Sequence, residues 1–153
     1  MKPLNSLLFV PASRPERIAK ALAAGADAVI VDLEDAVAPG EKDAARAALA
    51  AALDAARPVM VRVNAADTPW FPADLELLAQ PGIAAVVLPK AEHADDIEVV
   101  HHAARGLPVL PLVESALGFE QRLALAHAKG VQRLVFGQID FGQMPIAVVD
   151  ARP

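Results

Sequence analysis

Short apolar runs rich in β-branched residues alternate with helix-forming segments along this chain. There are six such runs, and they show little alternation of apolar and polar residues. Half-exposed strands alternate, so continuous apolar runs are typical of strands buried on both faces. They lie at residues 7–10, 29–31, 59–63, 84–88, 109–113 and 133–136. Helical periodicity and Pro or Gly boundaries predict helices at residues 15–24, 41–56, 72–78, 94–105 and 118–129. This alternation predicts an α/β fold with a parallel sheet and right-handed crossovers.

Two architectures fit this order of elements: an open doubly wound sheet, or part of a (β/α)₈ barrel. Dinucleotide-binding doubly wound proteins carry a Gly-rich turn after the first strand. Here the chain reads Pro-Ala-Ser-Arg-Pro at residues 11–15. The missing turn weakens the doubly wound interpretation.

Composition excludes several classes of protein. The net charge of −5 argues against a nucleic-acid partner, which requires a basic surface. No apolar run approaches the ~20 residues of a membrane span, and the N-terminus lacks the build of a signal peptide. The absence of Cys excludes disulfides and thiolate metal sites. We therefore expect a cytoplasmic protein without a membrane segment.

Polar or charged residues follow most of the predicted strands. In parallel α/β proteins the carboxyl ends of the strands meet at one edge, and ligands bind there. Any one of these residues could instead cap a helix or face solvent, so the prediction of a site depends on their convergence. They are Ser13, Arg14, Asp32, Glu34, Asp35, Asn64, Lys90, Glu114 and Asp140.

Arg62 is unusual because it lies inside the apolar strand Val-Met-Val-Arg-Val at residues 59–63. Its guanidinium stays charged, so a buried position requires an anionic partner. That partner is either one of the acids after the second strand or a substrate carboxylate held by two parallel N–H bonds. The sequence leaves both alternatives open.

Glu114 and Asp140 follow strands five and six of the prediction. Neighbouring strands lie about 5 Å apart, so two carboxylates there can share a hard cation. Mg²⁺ takes few protein carboxylates and leaves positions for a chelating substrate. The four His residues form no metal motif, and we expect them to be exposed. Trp70 and Phe71 could wall a cleft, form a subunit contact or simply pack.

Six motifs, in order, resemble the HpcH/HpaI aldolase/citrate lyase family, and the nearest branch is the citrate lyase β-subunit (citryl-CoA lyase-like) proteins. The motifs are Leu-Leu-Phe-Val-Pro-Ala-Ser-Arg-Pro-Glu-Arg (7–17), Gly-Ala-Asp-Ala-Val-Ile-Val-Asp-Leu-Glu-Asp-Ala-Val (25–37), Val-Arg-Val-Asn (61–64), Val-Leu-Pro-Lys (87–90), Leu-Pro-Leu-Val-Glu-Ser (110–115) and Phe-Gly-Gln-Ile-Asp-Phe (136–141).

The resemblance implies a TIM-type barrel that depends on Mg²⁺ and acts on acyl-CoA esters. By motif position, Arg62 would be catalytic and would bind the substrate carboxylate or ketone oxygen. Glu114 would bind both metal and substrate, and Asp140 would be the second metal ligand. The three acids after the second strand, Asp32, Glu34 and Asp35, would hold Arg62 and metal-bound water in place. Of these, Glu34 and Asp35 are predicted to be catalytic.

The function implied is a Mg²⁺-dependent carbon–carbon lyase. It would cleave a hydroxyacyl-CoA such as citryl-CoA or malyl-CoA into an acyl-CoA and an α-keto acid, oxaloacetate or glyoxylate. Two alternatives stay open. One is a non-catalytic truncated remnant that binds Mg²⁺ and a keto acid, and the other is an aldolase acting on a hydroxy-keto acid without CoA.

The family resemblance covers residues 1–141 as a partial barrel, and residues 142–153 form a divergent tail. A (β/α)₈ barrel has eight strands in typically ~250 residues, whereas this sequence predicts about six βα units. We therefore expect a truncated or frameshifted product, or a fragment. An unclosed sheet exposes two edges, so it must close atypically, be marginally stable or pair with another chain. We expect a homo-oligomer.

Overall fold

The structure is a computed structural model and describes residues 4–137 and the backbone of residues 147–150. Its strands are β1 Leu7–Pro11, β2 Ala28–Asp32, β3 Val59–Arg62, β4 Ile83–Leu88, β5 Val109–Val113, β6 Arg133–Phe136 and β7 Ala147–Asp150. Its α-helices are α1 Ile18–Ala23, α2 Lys42–Ala52, α3 Phe71–Leu77, α4 Ala94–Ala103, α5 Ala116–Glu120 and α6 Arg122–His127. Short 3₁₀ helices, Pro15–Arg17 and Pro39–Glu41, precede α1 and α2.

The strands lie side by side in chain order, from β1 to β7. Strands β1 to β6 pair in parallel, as the sequence predicts. A doubly wound sheet reverses its strand order at a switch point, whereas a barrel adds its strands consecutively. The observed order therefore favours the barrel architecture. Strand β7, which the sequence analysis does not predict, pairs antiparallel with β6.

The two faces of the sheet form two separate apolar clusters. Val31 and Val61 belong to the larger cluster, which includes residues from the helices. Ile30 and Met60 belong to the smaller cluster, formed by side chains from β2 to β6 together with Leu4. Successive side chains of a strand point to opposite faces of the sheet. Because both faces are buried here, most positions of these strands are apolar, and the strands appear in the sequence as continuous apolar runs.

Two predicted helices differ from the structure for reasons that are local in the chain. The helix predicted to end at residue 56 ends at Ala52, because the Asp54 side chain accepts the Ala56 N–H at 2.9 Å and turns the chain. The helix predicted at residues 118–129 begins earlier, because the Ser115 hydroxyl caps it by accepting the Gly118 N–H. It is also divided into α5 and α6 at Gln121.

Three of the four His residues are exposed, as predicted: His93, His102 and His127. His101 is half-buried, with Nδ1 3.0 Å from the carbonyl oxygen of Leu107. Within residues 4–137 and 147–150 we find no helix with the length and apolar character needed to cross a membrane. The predicted boundary at residue 141 lies outside the described residues.

Candidate active site

Three predicted site residues meet at the carboxyl edge of the sheet. Asp32, Arg62 and Glu114 each come two residues after a side chain of the smaller apolar cluster. Side-chain alternation along a strand therefore directs all three toward the same face. The strands thus bring opposite charges together where the apolar interior ends.

Asp32 and Arg62 are register partners on neighbouring strands and form a two-pronged ion pair. Arg62 Nε lies 2.7 Å from Asp32 Oδ1, and Nη2 lies 2.6 Å from Oδ2. Burial alone would lower the pKa of Arg62, but the hydrogen bonds and charge of Asp32 outweigh it and raise the pKa. Of the two partners that the sequence left open for Arg62, the structure contains the acid after the second strand.

Asp32 also shapes the loop after β2. Its Oδ1 accepts the Glu34 N–H at 2.9 Å, and its Oδ2 accepts the Ala36 N–H at 3.0 Å. Aspartate side chains commonly stabilise turns by accepting nearby main-chain N–H groups. One buried carboxylate therefore fixes both Arg62 and the loop that carries Glu34 and Asp35.

Glu34 is buried between two cations. Its Oε2 lies 2.9 Å from Arg62 Nη1, and its Oε1 lies 3.3 Å from Lys90 Nζ. Burial raises the pKa of Glu34, and the charge of Arg62 opposes that shift. Neither oxygen accepts a regular hydrogen bond from the described part of the chain, so Glu34 retains acceptor capacity.

Glu114 lies next to Lys90 at the end of β5. Lys90 has a left-handed backbone conformation with φ 48°, uncommon for a residue with a side chain, and its N–H donates to Glu114 Oε1 at 2.9 Å. Burial raises the pKa of Glu114, and the Lys90 N–H opposes that shift. Asp35 is exposed, with Oδ2 3.8 Å from Arg62 Nη1.

Of the two predicted metal ligands, the described residues contain Glu114, whose carboxylate is the kind of ligand that a hard cation takes. Glu114 is half-buried, and carboxylate oxygens are the ligands that Mg²⁺ prefers. A Cβ atom added to Gly137 would lie 3.3 Å from Glu114 Oε2, so the chain leaving β6 passes close to this carboxylate. Asp140 lies outside the described residues, and its pairing with Glu114 stays a prediction. Within the described residues no group of three His, Asp or Glu side chains is arranged to hold a metal.

A cavity of about 480 Å³ opens at this edge of the sheet. It joins the loops after β2, β3, β4 and β5, and therefore has the position expected of a ligand site in a parallel α/β protein. It is lined by Asp35, Ala66, Asp67, Lys90, Glu92, His93, Asp96, Glu114 and Ser115.

Sequence reasoning missed a buried network behind the cavity, centred on Asp74 of α3. Asp74 is fully buried, and its Oδ2 accepts both the main-chain N–H and the side-chain amide of Asn64, each at 2.7 Å. Its Oδ1 accepts from Arg46 Nε at 2.8 Å. These bonds hold the start of the loop that carries Ala66 and Asp67 to the cavity.

Lys42 was also missed, although the sequence contained a signal for it. It lies three and seven residues before Ala45 and Leu49, on the face of α2 that is buried. Its ammonium donates to the carbonyl oxygens of Leu33 and Glu34 at 2.7 and 2.6 Å. A Lys within an apolar helical stripe is the pattern that could have identified it.

Fold and site together define an α/β protein of consecutive parallel strands, with a charged ligand site at their carboxyl ends. Comparison with known proteins makes this class more specific. The chain belongs to the HpcH/HpaI aldolase/citrate lyase family, whose model matches residues 5–144.

Two relatives illustrate the range of named functions. A citrate lyase subunit beta-like protein of Mycobacterium tuberculosis is 47% identical to this chain over 134 residues. The match covers 87% of this chain and 47% of the length of that protein. A (3S)-malyl-CoA thioesterase of Cereibacter sphaeroides is 37% identical over 145 residues, covering 92% and 51%. The chain thus spans about half the length of these relatives.

A solved structure of CitE from Mycobacterium tuberculosis in complex with magnesium, acetoacetate and coenzyme A is similar in fold. The TM-score is 0.75 at 43% sequence identity, and the match covers 88% of this chain and 50% of that one. The family resemblance inferred from the six motifs is therefore confirmed, and a family member holds magnesium.

Proposed function

We propose that this chain forms the keto-acid and Mg²⁺ site of a carbon–carbon lyase acting on a hydroxyacyl-CoA, such as citryl-CoA or malyl-CoA. The sheet would be the first six βα units of a TIM-type barrel. The observation that carries the proposal is Arg62, buried and held by two acids, on the strand face that also carries Glu114, which lines the cavity. Membership of a lyase family and the ligands of the similar CitE structure support it.

Arg62 would be the catalytic cation. A guanidinium has five N–H donors; two of them donate to Asp32, and Nη1 forms an ion pair with Glu34. Among the remaining N–H groups are those that would donate to a keto-acid carboxylate or ketone oxygen. Because Asp32 fixes the plane of the guanidinium, these donors are preorganised for negative charge that develops on substrate oxygen.

In the proposed reaction the substrate hydroxyl gives its proton to a general base, and its oxygen forms the double bond of the ketone. The bond between the hydroxyl-bearing carbon and the thioester α-carbon breaks, and its electron pair moves into the thioester enolate. The products are a keto acid and a thioester enolate, which takes up a proton at the α-carbon. Glu114 and Asp140 would hold Mg²⁺, which acts as a Lewis acid toward keto-acid oxygens when bound. Glu34 and Asp35 would keep the charges of Arg62 and Lys90 in place.

Calorimetric titration with Mg²⁺, alone and with oxaloacetate or glyoxylate, tests the binding site. Loss of a metal ligand should weaken binding more than the ~10–100-fold that is typical when only a supporting residue is lost. We expect Glu114→Gln to lower Mg²⁺ affinity by at least that factor. Glu76→Gln is the matched control, because Glu76 is exposed on α3. Equal affinity in wild type and Glu114→Gln would remove Glu114 from the site.

A coupled assay for acetyl-CoA release from citryl-CoA tests the reaction. Release of acetyl-CoA with an equal amount of oxaloacetate supports the lyase. A second candidate, hydrolysis of a CoA thioester, is favoured by the relatives named malyl-CoA thioesterase and would release free CoA thiol without a keto acid. Binding of Mg²⁺ and oxaloacetate with neither product would indicate a non-catalytic binding protein.

A further inference from the structure

Lys42 is buried at a position that is unfavourable for a cation. It is the first residue of α2, with 5% of its surface exposed. The amino end of a helix carries partial positive charge and disfavours a cation, and burial removes the ammonium from water. A Lys at such a position needs partners that compensate for both effects.

Those partners come from two loops that line the cavity. In the loop after β2, Lys42 Nζ donates to the carbonyl oxygens of Leu33 and Glu34. From the loop after β3, the Trp70 ring lies against the same ammonium, with its centroid 5.2 Å from Nζ. A cation at this distance from an indole face is attracted to it. Lys42 therefore connects the loop that carries Glu34 to the loop that carries Asp67.

Acidic groups surround this ammonium at longer range. Burial lowers the pKa of Lys42, and the charges of four carboxylates oppose that shift. They are Asp32, Glu34, Asp35 and Asp74. Arg46, on the same helix as Lys42, contacts Asp74 and adds positive charge on that side.

We infer that Lys42 is a positioning residue that holds the Leu33–Glu34 main chain against Trp70 and thereby fixes the Glu34 carboxylate between Arg62 and Lys90. Neither Lys42 nor Glu34 lines the cavity, whereas Lys90, which pairs with Glu34, does. Lys42 therefore acts on the cavity through Glu34 and Lys90. Two hydrogen bonds to successive carbonyl groups fix the peptide between them. The direction of the Glu34 side chain follows from that peptide. The effect on ligand binding rests on the proposed function, whereas the connection between the loops does not.

The single tryptophan of the chain makes the contact observable. In a ¹H–¹⁵N spectrum of the full chain, Trp70 gives one indole cross-peak. We expect Lys42→Met to shift that cross-peak and Lys20→Met to leave it unchanged, because Lys20 is exposed on α1. Lys42→Arg keeps a cation and donors, and should lie closer to wild type. An unchanged cross-peak in folded Lys42→Met would overturn the contact.

The carboxyl ¹³C signal of Glu34, assigned by its loss in Glu34→Gln, tests positioning without any ligand. In wild type it should titrate above the ordinary value for Glu. In Lys42→Met the midpoint should differ from wild type, because the carboxylate loses its fixed place between Arg62 and Lys90. If Lys42→Met does not fold, Lys42→Gln, which also removes the ammonium, provides the same test. An identical Glu34 midpoint in wild type and a folded variant would overturn the inference.

Binding then separates this inference from the proposed function. We expect Lys42→Met to weaken oxaloacetate binding about tenfold, as is usual for a supporting residue, while Mg²⁺ alone binds as in wild type. Equal oxaloacetate affinity despite a shifted Glu34 midpoint would overturn the role of Lys42 in ligand binding. If wild type binds neither ligand, the proposed function and that role in binding both fail, and the Trp70 and Glu34 signals still decide whether Lys42 fixes Glu34.

Discussion

Arg62→Met should destabilise the fold through the two acids that it leaves behind. Asp32 and Glu34 are 1% and 5% exposed, and both would lose the guanidinium. Removing one partner of a buried ion pair costs about 3–5 kcal/mol. Asp32 keeps two main-chain N–H bonds and Glu34 keeps Lys90, so we expect the lower end, about 3 kcal/mol.

Urea unfolding followed by circular dichroism at pH 7 measures this loss. With a slope of about 2 kcal/mol per molar urea, a loss of about 3 kcal/mol moves the midpoint down by about 1.5 M. Total stability is about 5–15 kcal/mol for a domain of this kind, so the change is a large share of it. Arg57→Met is the control, because Arg57 pairs with Asp54 in an exposed position, and its midpoint should stay at the wild-type value.

A double-mutant cycle isolates the pair itself. We expect Asp32→Asn and Arg62→Met to show a coupling of about 2 kcal/mol, within the range for residues in one ion-pair network. The double variant should therefore be more stable than the sum of the single losses implies. A coupling below about 0.5 kcal/mol, the error for independent sites, would refute the assignment of Asp32 as the main partner of Arg62.

Two further predictions concern buried carboxylates. The pKa of Glu34 is raised on folding above its ordinary value of 4.5, so its contribution to stability is present at low pH and lost as pH rises through the raised value. When the pH is lowered from 7 to 4.5, the urea midpoint of wild type should therefore rise relative to that of Glu34→Gln. A constant difference between the two midpoints would contradict this. Asp74→Ala leaves buried donors of Asn64 and Arg46 unpaired, at about 1–3 kcal/mol for each group. It should lower stability by about 2–4 kcal/mol and increase amide exchange at Asn64, whereas Asp95→Ala, at an exposed position, should do neither.

The strands could be predicted because burial on both faces makes each of them a continuous apolar run in the sequence. Helix ends could not, because local hydrogen bonds from side chains to the main chain compete with helix propensity there. The predicted helix at residues 41–56 continues on propensity alone, but Asp54 bonds to the main chain ahead of it and ends the helix earlier. Strand β7 was missed because it pairs antiparallel with β6, a departure from the repeated βα plan on which the prediction was based.

The candidate site was predictable where one residue alone is anomalous. Arg62 within an apolar strand requires an anion, whatever the fold, whereas the choice of Asp32 depends on strand pairing. Asp74 was missed because an acid on a short helix is usually exposed. Its partners are 10 and 28 residues away in the chain, and periodicity within one helix does not report such contacts.

The ion pair also specifies how the strands pair. Asp32 and Arg62 are direct partners in the register of β2 and β3, and each lies on the face of the smaller apolar cluster. A slip of one residue moves every side chain of a strand to the opposite face. Arg62 would then lie among the apolar side chains that pack against the helices and would lose its pairing with Asp32, and separating a buried charge from its partner is strongly unfavourable. The Asp32–Arg62 contact, which in the proposed function orients Arg62 toward an oxyacid, therefore also disfavours the alternative register of β2 and β3.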